Sequence, residues 1–477
     1  MITRKLLVSA LATLGLATDA LAVRLEPDGI GQALIFPYFT VQNSDGSNSW
    51  NTYLSVANPT PDAKVVRVRF REGRAGKDIG NLNLFLSPND LWTGAIVPSS
   101  AQSSSVAMII TLDSSCTDPP LPSAGETFTN VLYSGARDDG LGTGLDRTRE
   151  GYVELIEMAS LTGVTATAVT HVNGFPDDCS MVRAKPALPP ADVRPPSGGL
   201  SGTLTLINVN SGLDLGMNAI ALAELSSQPF FRPPSDTYAG FSAQEIRPVS
   251  TVRAGGREYD LRWKNGVDAV SSVFMASELI NEFVLEPGTA SQTDWVITFP
   301  TRPYLQPGAS PFQPNISFDQ RDIFDREGNG VHHSMTGLCL PGFPCPLAVL
   351  DHAASAAFPV GHQAGPSSLL GSVIGVDLGL IPDSFTAGWM RLRVADRLPG
   401  FGQLGSEPGS TMTDLATGAV TVGRFELFGL PMTGFMVRTF RNGTLRCITN
   451  SGLQTGCQGN YAGSFPHRYV RTITQIP

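Results

Sequence analysis

The stretch Val65-Val66-Arg67-Val68-Arg69-Phe70-Arg71 alternates apolar and basic side chains, and it decides the fold. A period of two is that of a β-strand, in which successive side chains point to opposite faces of a sheet. The pattern predicts a strand in which Val66, Val68 and Phe70 face a core, while Arg67, Arg69 and Arg71 face solvent. A functional basic stripe is the alternative interpretation of the arginines, and we favour the solvated strand face.

The rest of the chain has the same β character. Alternation recurs at Gly151-Tyr152-Val153-Glu154-Leu155-Ile156-Glu157-Met158, and short apolar runs alternate with turn residues elsewhere. The chain has 50 Gly and 36 Pro, and only 16% of its residues are charged, which favours turns between short strands over long helices. We therefore predict a mainly β fold of two or three β-sandwich, immunoglobulin-like modules with a few short helices.

Proline-rich stretches divide the 477 residues into predicted domains. Residues 186–200 contain five prolines and two adjacent glycines, so we predict a linker or a crossing loop there. A β-sandwich domain is predicted over 23–185. A β-rich domain with a helix near 267–284 is predicted over 201–305, and a C-terminal β-rich domain over 306–477.

The first twenty-two residues have the pattern of a secretory signal peptide. Arg4 and Lys5 precede an apolar run, and Ala20-Leu21-Ala22 provides small residues at the cleavage positions. The net charge of −9 argues against a nucleic-acid partner, which requires clustered Lys and Arg. We expect a periplasmic or secreted protein whose mature chain has no transmembrane anchor.

Six cysteines in an exported chain predict disulfide bonds. Pairing between sequence neighbours is the simplest arrangement, although an even count alone does not determine connectivity. The predicted pairs are Cys116 with Cys179, Cys339 with Cys345, and Cys447 with Cys457.

No motif of a known catalytic type is present. The run Gly199-Leu200-Ser201-Gly202 lacks the spacing of a serine-hydrolase nucleophile, and Gly140-Leu141-Gly142-Thr143-Gly144 lacks the lysine of a phosphate-binding loop. We therefore assign no catalytic residue and expect no cofactor.

The best metal-ligand candidates lie in residues 332–362. Imidazole and carboxylate groups are ligands for zinc, copper or nickel. The candidate side chains are His332, His333, Asp351, His352 and His362. Prolines break this segment into rigid turns, so we expect the five side chains to stay dispersed and to bind no metal.

Four segments resemble a group of uncharacterised secreted proteins of Gram-negative bacteria. They are Thr52-Tyr53-Leu54-Ser55-Val56-Ala57-Asn58, Arg149-Glu150-Gly151-Tyr152-Val153-Glu154-Leu155-Ile156-Glu157-Met158, Leu206-Ile207-Asn208-Val209-Asn210-Ser211-Gly212 and Thr293-Asp294-Trp295-Val296-Ile297-Thr298-Phe299-Pro300-Thr301. The resemblance implies export and carries no activity.

Three functional hypotheses follow. The first is a non-enzymatic structural, adhesion or binding protein of the cell envelope that contacts an unknown protein or glycan. The second is a secreted hydrolase acting on polysaccharide or another extracellular polymer, which would need a groove with two carboxylates about 5 to 10 Å apart. The third is a metal-binding envelope protein that uses residues 332–362.

Overall fold

The computed structural model describes residues 21–43, 49–99, 106–236, 240–305, 311–312, 316–334, 349–350, 353–362, 367–375, 378, 381–394, 402–449 and 452–476. These residues are mainly β, with 51% strand, and they contain two α-helices, α1 (Gly163–Val169) and α2 (Gly266–Phe274). Within these residues no helix is long and apolar enough to cross a membrane. The prediction of a mainly β chain with few short helices is confirmed.

The described residues before 224 form sixteen strands. In chain order they are β1 (Arg24–Glu26), β2 (Ala33–Thr40), β3 (Asn51–Asn58), β4 (Ala63–Glu72), β5 (Asp78–Leu86), β6 (Asp90–Pro98), β7 (Ala107–Ile110), β8 (Cys116–Asp118), β9 (Glu126–Thr127), β10 (Glu150–Leu161), β11 (His171–Val172), β12 (Phe175–Pro176), β13 (Val193–Arg194), β14 (Ser201–Asn208), β15 (Leu213–Asn218) and β16 (Ile220–Ala223).

The remaining strands follow residue 248. They are β17 (Val249–Ala254), β18 (Arg257–Arg262), β19 (Met275–Ala276), β20 (Glu278–Val284), β21 (Gln292–Thr298), β22 (Ile316–Asp325), β23 (Gly330–Ser334), β24 (Val349–Leu350), β25 (Ser355–Val360), β26 (Ala387–Val394), β27 (Gln403–Gly405), β28 (Ser410–Asp414), β29 (Val420–Phe428), β30 (Leu430–Pro431), β31 (Thr433–Thr449), β32 (Gly452–Pro466), β33 (Arg468–Val470) and β34 (Ile473–Ile476).

Two antiparallel sheets form the first sandwich. Sheet A has the order β1-β16-β2-β10-β4-β5-β8, with β13 paired to β10, and sheet B has the order β15-β14-β3-β6-β7-β9. In sheet A, Val68 lies opposite Leu155 and Phe70 lies opposite Val153. These four side chains belong to an apolar core that they share with residues of sheet B. The alternating apolar residues of β4 therefore build the core as predicted, and Val153 and Leu155 of β10 join them.

Three further sheets contain most of the strands after residue 248. Sheet C (β25-β21-β31-β32) and sheet D (β23-β22-β26-β20-β33, with β24 paired to β22) share a second core, which includes Trp295 and Phe358. Val296 and Phe435, on the other face of sheet C, join the first core. Sheet E (β17-β18-β28-β29-β27, with β34 paired to β29) and α2 contribute to a smaller core.

The predicted exposure of the three arginines is wrong. Arg67, Arg69 and Arg71 are 1%, 2% and 4% exposed, and every residue of β4 is buried. Their face of sheet A is covered by distant segments, because the Arg67 guanidinium donates to the carbonyls of Arg232 and Pro233, each at 2.8 Å. Sheet A is thus a central layer, and alternation along one strand does not reveal whether a second layer covers its polar face.

Strand pairing crosses both predicted domain boundaries. Beyond 186–200, β14 pairs with β3 and β16 pairs with β2, so residues 201–223 complete the first sandwich. Across the predicted boundary at 305, β20 pairs with β26 and β21 pairs with β25. The strands therefore do not group as 23–185, 201–305 and 306–477, and 186–200 crosses within the first sandwich.

The helix predicted near 267–284 occupies only the first half of that range. The Asn265 side chain accepts a hydrogen bond from the Asp268 amide and caps the start of α2. After Phe274 the chain continues as β19 and β20, where burial alternates through Leu279, Asn281 and Phe283. Large apolar side chains recur every three or four positions in α2, and buried residues recur every second position in β20. This change marks the boundary between helix and strand, which the sequence analysis did not identify.

One predicted disulfide is confirmed. Cys116 and Cys179 are bonded, with Cα atoms 5.4 Å apart, and they link β8 to the segment after β12. Cys339 and Cys345 lie outside the described residues. Cys447 and Cys457 lie on β31 and β32, where the register pairs them with Gln454 and Leu445, and the positions of their side chains are outside the description. Those two pairs stay predictions.

Candidate functional site

A cleft of about 610 Å³ lies where the first sandwich meets sheets C and D. Its size is in the range of small-molecule sites, about 300 to 1,000 Å³, and such sites favour interfaces between packed units. One side of the cleft comes from β1, β2, β15 and β16, and the other from the start of β31, the end of β32 and the tail after it. Ten apolar residues line it: Leu25, Pro27, Pro37, Met217, Ile220, Phe274, Met432, Phe435, Phe465 and Pro466.

The polar groups of the cleft are concentrated on the C-terminal tail. His467, Tyr469 and Arg471 all line the cleft, and they alternate along an extended segment that includes β33. Alternate residues of a strand share one face, so the segment presents all three side chains to the same side. The intervening Arg468 is exposed. The tail thus places one histidine, one phenol and one guanidinium beside an apolar wall.

His467 is a fixed, neutral part of this wall. Its Nδ1 lies 2.9 Å from the Asn281 amide nitrogen and its Nε2 lies 3.0 Å from the Val296 carbonyl, so the ring accepts at Nδ1 and donates from Nε2. Burial lowers the pKa of His467 to about 3. The ring also packs against Trp295, with centroids 5.2 Å apart. His467 therefore holds the tail against sheet C and carries no charge near neutral pH.

Tyr469 is also neutral. Burial raises the pKa of the Tyr469 phenol to about 12, and its hydroxyl lies 3.5 Å from the Gly434 carbonyl.

Gly434 has φ of +149°, and a Cβ there would lie 1.9 Å from the Val296 carbonyl oxygen. Glycine is thus required where the backbone of β31 approaches β21 below the cleft.

Arg471 is the charged group of the cleft. Its Nε is buried and has no hydrogen-bond partner, and no carboxylate of the described residues forms an ion pair with it. The guanidinium carbon lies 5.2 Å from the centroid of the Tyr469 ring. Burial lowers the pKa of Arg471, and the charge of Arg253 acts in the same direction. Arg471 therefore places a positive charge at one end of an apolar cleft.

An unpaired, largely desolvated guanidinium is costly unless an anion binds it. Two arginines inside the protein have such partners, as Arg71 has Glu154 and Arg147 has Glu72. The buried Arg67 instead donates to backbone carbonyls and to the Asn83 side chain. A guanidinium presents a fork of N–H donors that matches a carboxylate or a phosphate. The arrangement can bind an organic anion whose apolar part lies against the cleft wall.

Of the five candidate metal ligands, only His332 and His362 have described side chains, and these two side chains have different partners. His332 Nδ1 lies 2.9 Å from an Asp322 oxygen, and His362 Nδ1 lies 3.2 Å from the Pro382 carbonyl. The side chain of His333 and all of Asp351 and His352 lie outside the described residues. Among the residues that the structure describes, no three His, Cys, Asp or Glu side chains form a possible metal site. The expectation that this set binds no metal stays a prediction.

A buried group of polar side chains on the covered face of sheet A is structural. Arg71 contacts Glu154 at 2.8 Å and Asp78 at 3.1 Å, and the Tyr304 hydroxyl donates to Glu154 at 2.6 Å. Arg71, Glu154 and Asp78 belong to sheet A, and Tyr304 belongs to a segment that covers it. These carboxylates are neutralised and buried, so they do not form the open pair that the hydrolase hypothesis needs.

The sequence analysis missed the cleft. The sequence did contain one indication of the cleft, the run His467-Arg468-Tyr469-Val470-Arg471. In an extended segment this run places Arg471 on the same face as the aromatic rings of His467 and Tyr469. The missing information was that this face meets strands more than 200 residues earlier in the chain.

Comparisons with models of protein families, with curated proteins and with solved structures found no match for the chain.

Proposed function

We propose that the chain is an exported, non-enzymatic binding protein of the cell envelope, and that its cleft binds an organic anion with an apolar body. The observation that carries the proposal is Arg471, a guanidinium without an anionic partner among the described residues, at the wall of a 610 Å³ apolar cleft. A chain with net charge −9 has many carboxylates to offer, and none of those described pairs with this arginine. A bound anion would complete the site.

The ligand class follows from the two parts of the cleft. The guanidinium binds a carboxylate or phosphate head group, and the apolar wall accommodates an alkyl or aromatic body. Met217 and Met432 add flexible side chains that adapt to irregular apolar ligands. A long-chain carboxylate has both features, so we take it as the model ligand.

Export to the periplasm or the medium is part of the proposal. The signal-peptide pattern of residues 1–22, the resemblance to secreted proteins of Gram-negative bacteria and the Cys116–Cys179 bond support it. Val23, the first residue after the predicted cleavage, is fully buried and exchanges backbone hydrogen bonds with β17. Val23 is thus held by β17 at the point where the mature chain would begin. We also propose that the paired antiparallel sheets are immunoglobulin-like sandwich modules.

Calorimetric titration of the purified mature chain with dodecanoate tests the binding site. We expect Arg471→Met to weaken binding by about tenfold to a hundredfold, since charge-assisted hydrogen bonds contribute about 1.5 to 3 kcal/mol. Arg468→Met is the matched control, because Arg468 is an exposed arginine three residues away on the same segment. It should bind as the wild type does.

Two further measurements separate the head group from the body. Dodecanol, which has the same chain without the charge, should bind weakly. Asn218→Trp should reduce affinity for dodecanoate, because Asn218 is exposed at the cleft and a larger side chain there fills it. Equal affinity of wild type and Arg471→Met would refute the site. N-terminal sequencing of exported protein tests the export proposal, which requires a chain that begins at Val23.

A further inference from the structure

The outer face of sheet B carries an ordered row of hydroxyl groups. Thr93, Ser55 and Thr203 lie directly opposite one another on β6, β3 and β14. Neighbouring strands are about 4.8 Å apart, so the three hydroxyls span about 10 Å across the sheet. The Ser55 and Thr203 hydroxyls are 2.6 Å apart and hydrogen-bonded to each other. Because each hydroxyl donates once and accepts twice, both keep capacity for a ligand.

An aromatic ring lies next to this row. Tyr53 is two residues before Ser55 on β3, flanked by Ala95 and Thr205 across the strands, and its side chain is 47% exposed. Small neighbours leave the ring accessible from above. A flat ring beside aligned hydroxyls offers both an apolar surface and hydrogen-bond partners.

The row and the ring form the floor of a groove of about 610 Å³. Leu112, which is fully exposed, and Ser123 line it beyond β7. The Thr111 hydroxyl donates to the Thr93 carbonyl at 2.6 Å and ties this wall to the floor. The groove is therefore built from regular strands and a tethered loop, which hold its shape.

The groove floor carries no charge. On β3, β6 and β14, the outward positions from 53 to 57, 91 to 97 and 203 to 207 hold only tyrosine, serine, threonine and aliphatic residues. These ten positions are uncharged, and Asp214 on β15, opposite Ile207, is a charged residue at the border of the set. Arginines and carboxylates occur instead on the far face of sheet A, where they are buried.

We propose that this groove binds a neutral glycan chain. Sugar hydroxyls are both donors and acceptors, as are the hydroxyls of the row, and the apolar C–H face of a pyranose stacks on an aromatic ring. A face without charge offers nothing to pair with an anionic polymer or a basic peptide. The ten outward positions of β3, β6 and β14 also hold no arginine and no tryptophan, two of the residue types that dominate protein–protein interfaces. This site is separate from the anion cleft.

Affinity electrophoresis and calorimetry with neutral hexasaccharides test the proposal. The probes are cellohexaose, maltohexaose, xylohexaose and hexameric N-acetylglucosamine, with polygalacturonate as the anionic comparison. We expect at least one neutral probe to bind and polygalacturonate to bind at least tenfold more weakly. Tyr53→Ala and Thr93→Val should each weaken binding of that probe by tenfold or more, with unchanged circular dichroism.

Tyr461→Ala is the matched control, because Tyr461 is a tyrosine on β32 with a similar exposure of 52%. It should bind the glycan as the wild type does, and so should Arg471→Met. The proposal is overturned if no neutral probe binds, if Tyr53→Ala retains full affinity, or if the face instead captures a protein in a manner that Tyr53→Ala abolishes.

Discussion

Arg71 and Glu154 form an ion pair, Nε to Oε2 at 2.8 Å, between neighbouring strands in the middle of the protein. The two side chains are 5% and 0% exposed, and the Arg71 guanidinium also lies 4.6 Å from the centroid of the Tyr304 ring. Tyr304 belongs to a segment 150 residues after Glu154, so the pair attaches the covering layer to sheet A.

Replacing Arg71 with Met leaves two carboxylates, Glu154 and Asp78, buried without their shared cation. We expect Arg71→Met to lower the free energy of unfolding by about 3 to 5 kcal/mol. Arg257→Met is the control, because Arg257 is 60% exposed and its pair with Asp414 lies at the surface. That variant should lose less than about 1 kcal/mol. Urea unfolding followed by fluorescence measures both, and equal losses would contradict the buried-pair argument.

The Cys116–Cys179 bond closes a loop of 63 residues. In the chain-entropy model a loop of this length stabilises the folded state by about 4 kcal/mol. We expect the double variant Cys116→Ser, Cys179→Ser to unfold at lower urea concentration, with a loss of about 2 to 5 kcal/mol. Thiol reductant should lower the unfolding midpoint of the wild type by more than that of the double variant, which retains only the other four cysteines.

Asp294 is a buried carboxylate that holds a loop. It accepts a hydrogen bond from the Ser368 hydroxyl at 2.6 Å and from the Leu370 amide at 3.0 Å, and burial raises its pKa. A raised folded pKa means that the folded state holds the proton more tightly. The resulting stabilisation is present below the unfolded pKa of about 3.9 and is lost as pH rises through the folded pKa.

The free energy of unfolding of the wild type minus that of Asp294→Asn should therefore fall as pH rises above about 4. Unfolding titrations of both proteins at closely spaced pH values measure this difference. A difference that stays constant, or that grows with pH, would show that the carboxylate is not destabilised by burial.

His467 behaves in the opposite way. Its pKa of about 3 lies below that of an unfolded histidine, about 6.5, so the folded state binds fewer protons between these values. Its contribution to stability is present above pH 6.5 and is lost as pH falls toward 3. We expect the stability advantage of the wild type over His467→Gln to shrink across that window, and the His467 ring signals in NMR spectra to stay constant from pH 8 to 5. Movement of those signals near pH 6.5 would contradict a buried, neutral ring.

Local pattern was enough to establish the β architecture and one covalent link. The alternation at 65–71 and 151–158 identified the strands β4 and β10, and at 65–71 it also identified the core-facing residues. It could do so because the two faces of a strand are set by backbone geometry alone. Spacing between sequence neighbours also led to Cys116 and Cys179. Both inferences depend only on residues that are close in the chain or confined to one sheet.

Tertiary structure decided what lies on each face. Arg67 to Arg71 are buried because segments near 232 and 304 cover sheet A, and Arg471 lines a cleft because the C-terminal tail returns to β1, β2 and β15. The periodicity of a strand is present in its own sequence. Whether another segment covers one of its faces depends on the loops that bring that segment there. Because the entropic cost of closing a loop grows only slowly with loop length, segments far away in the chain can cover either face. The chain sequence by itself therefore determined the strands, and only their packing determined which charges became buried and which formed a site.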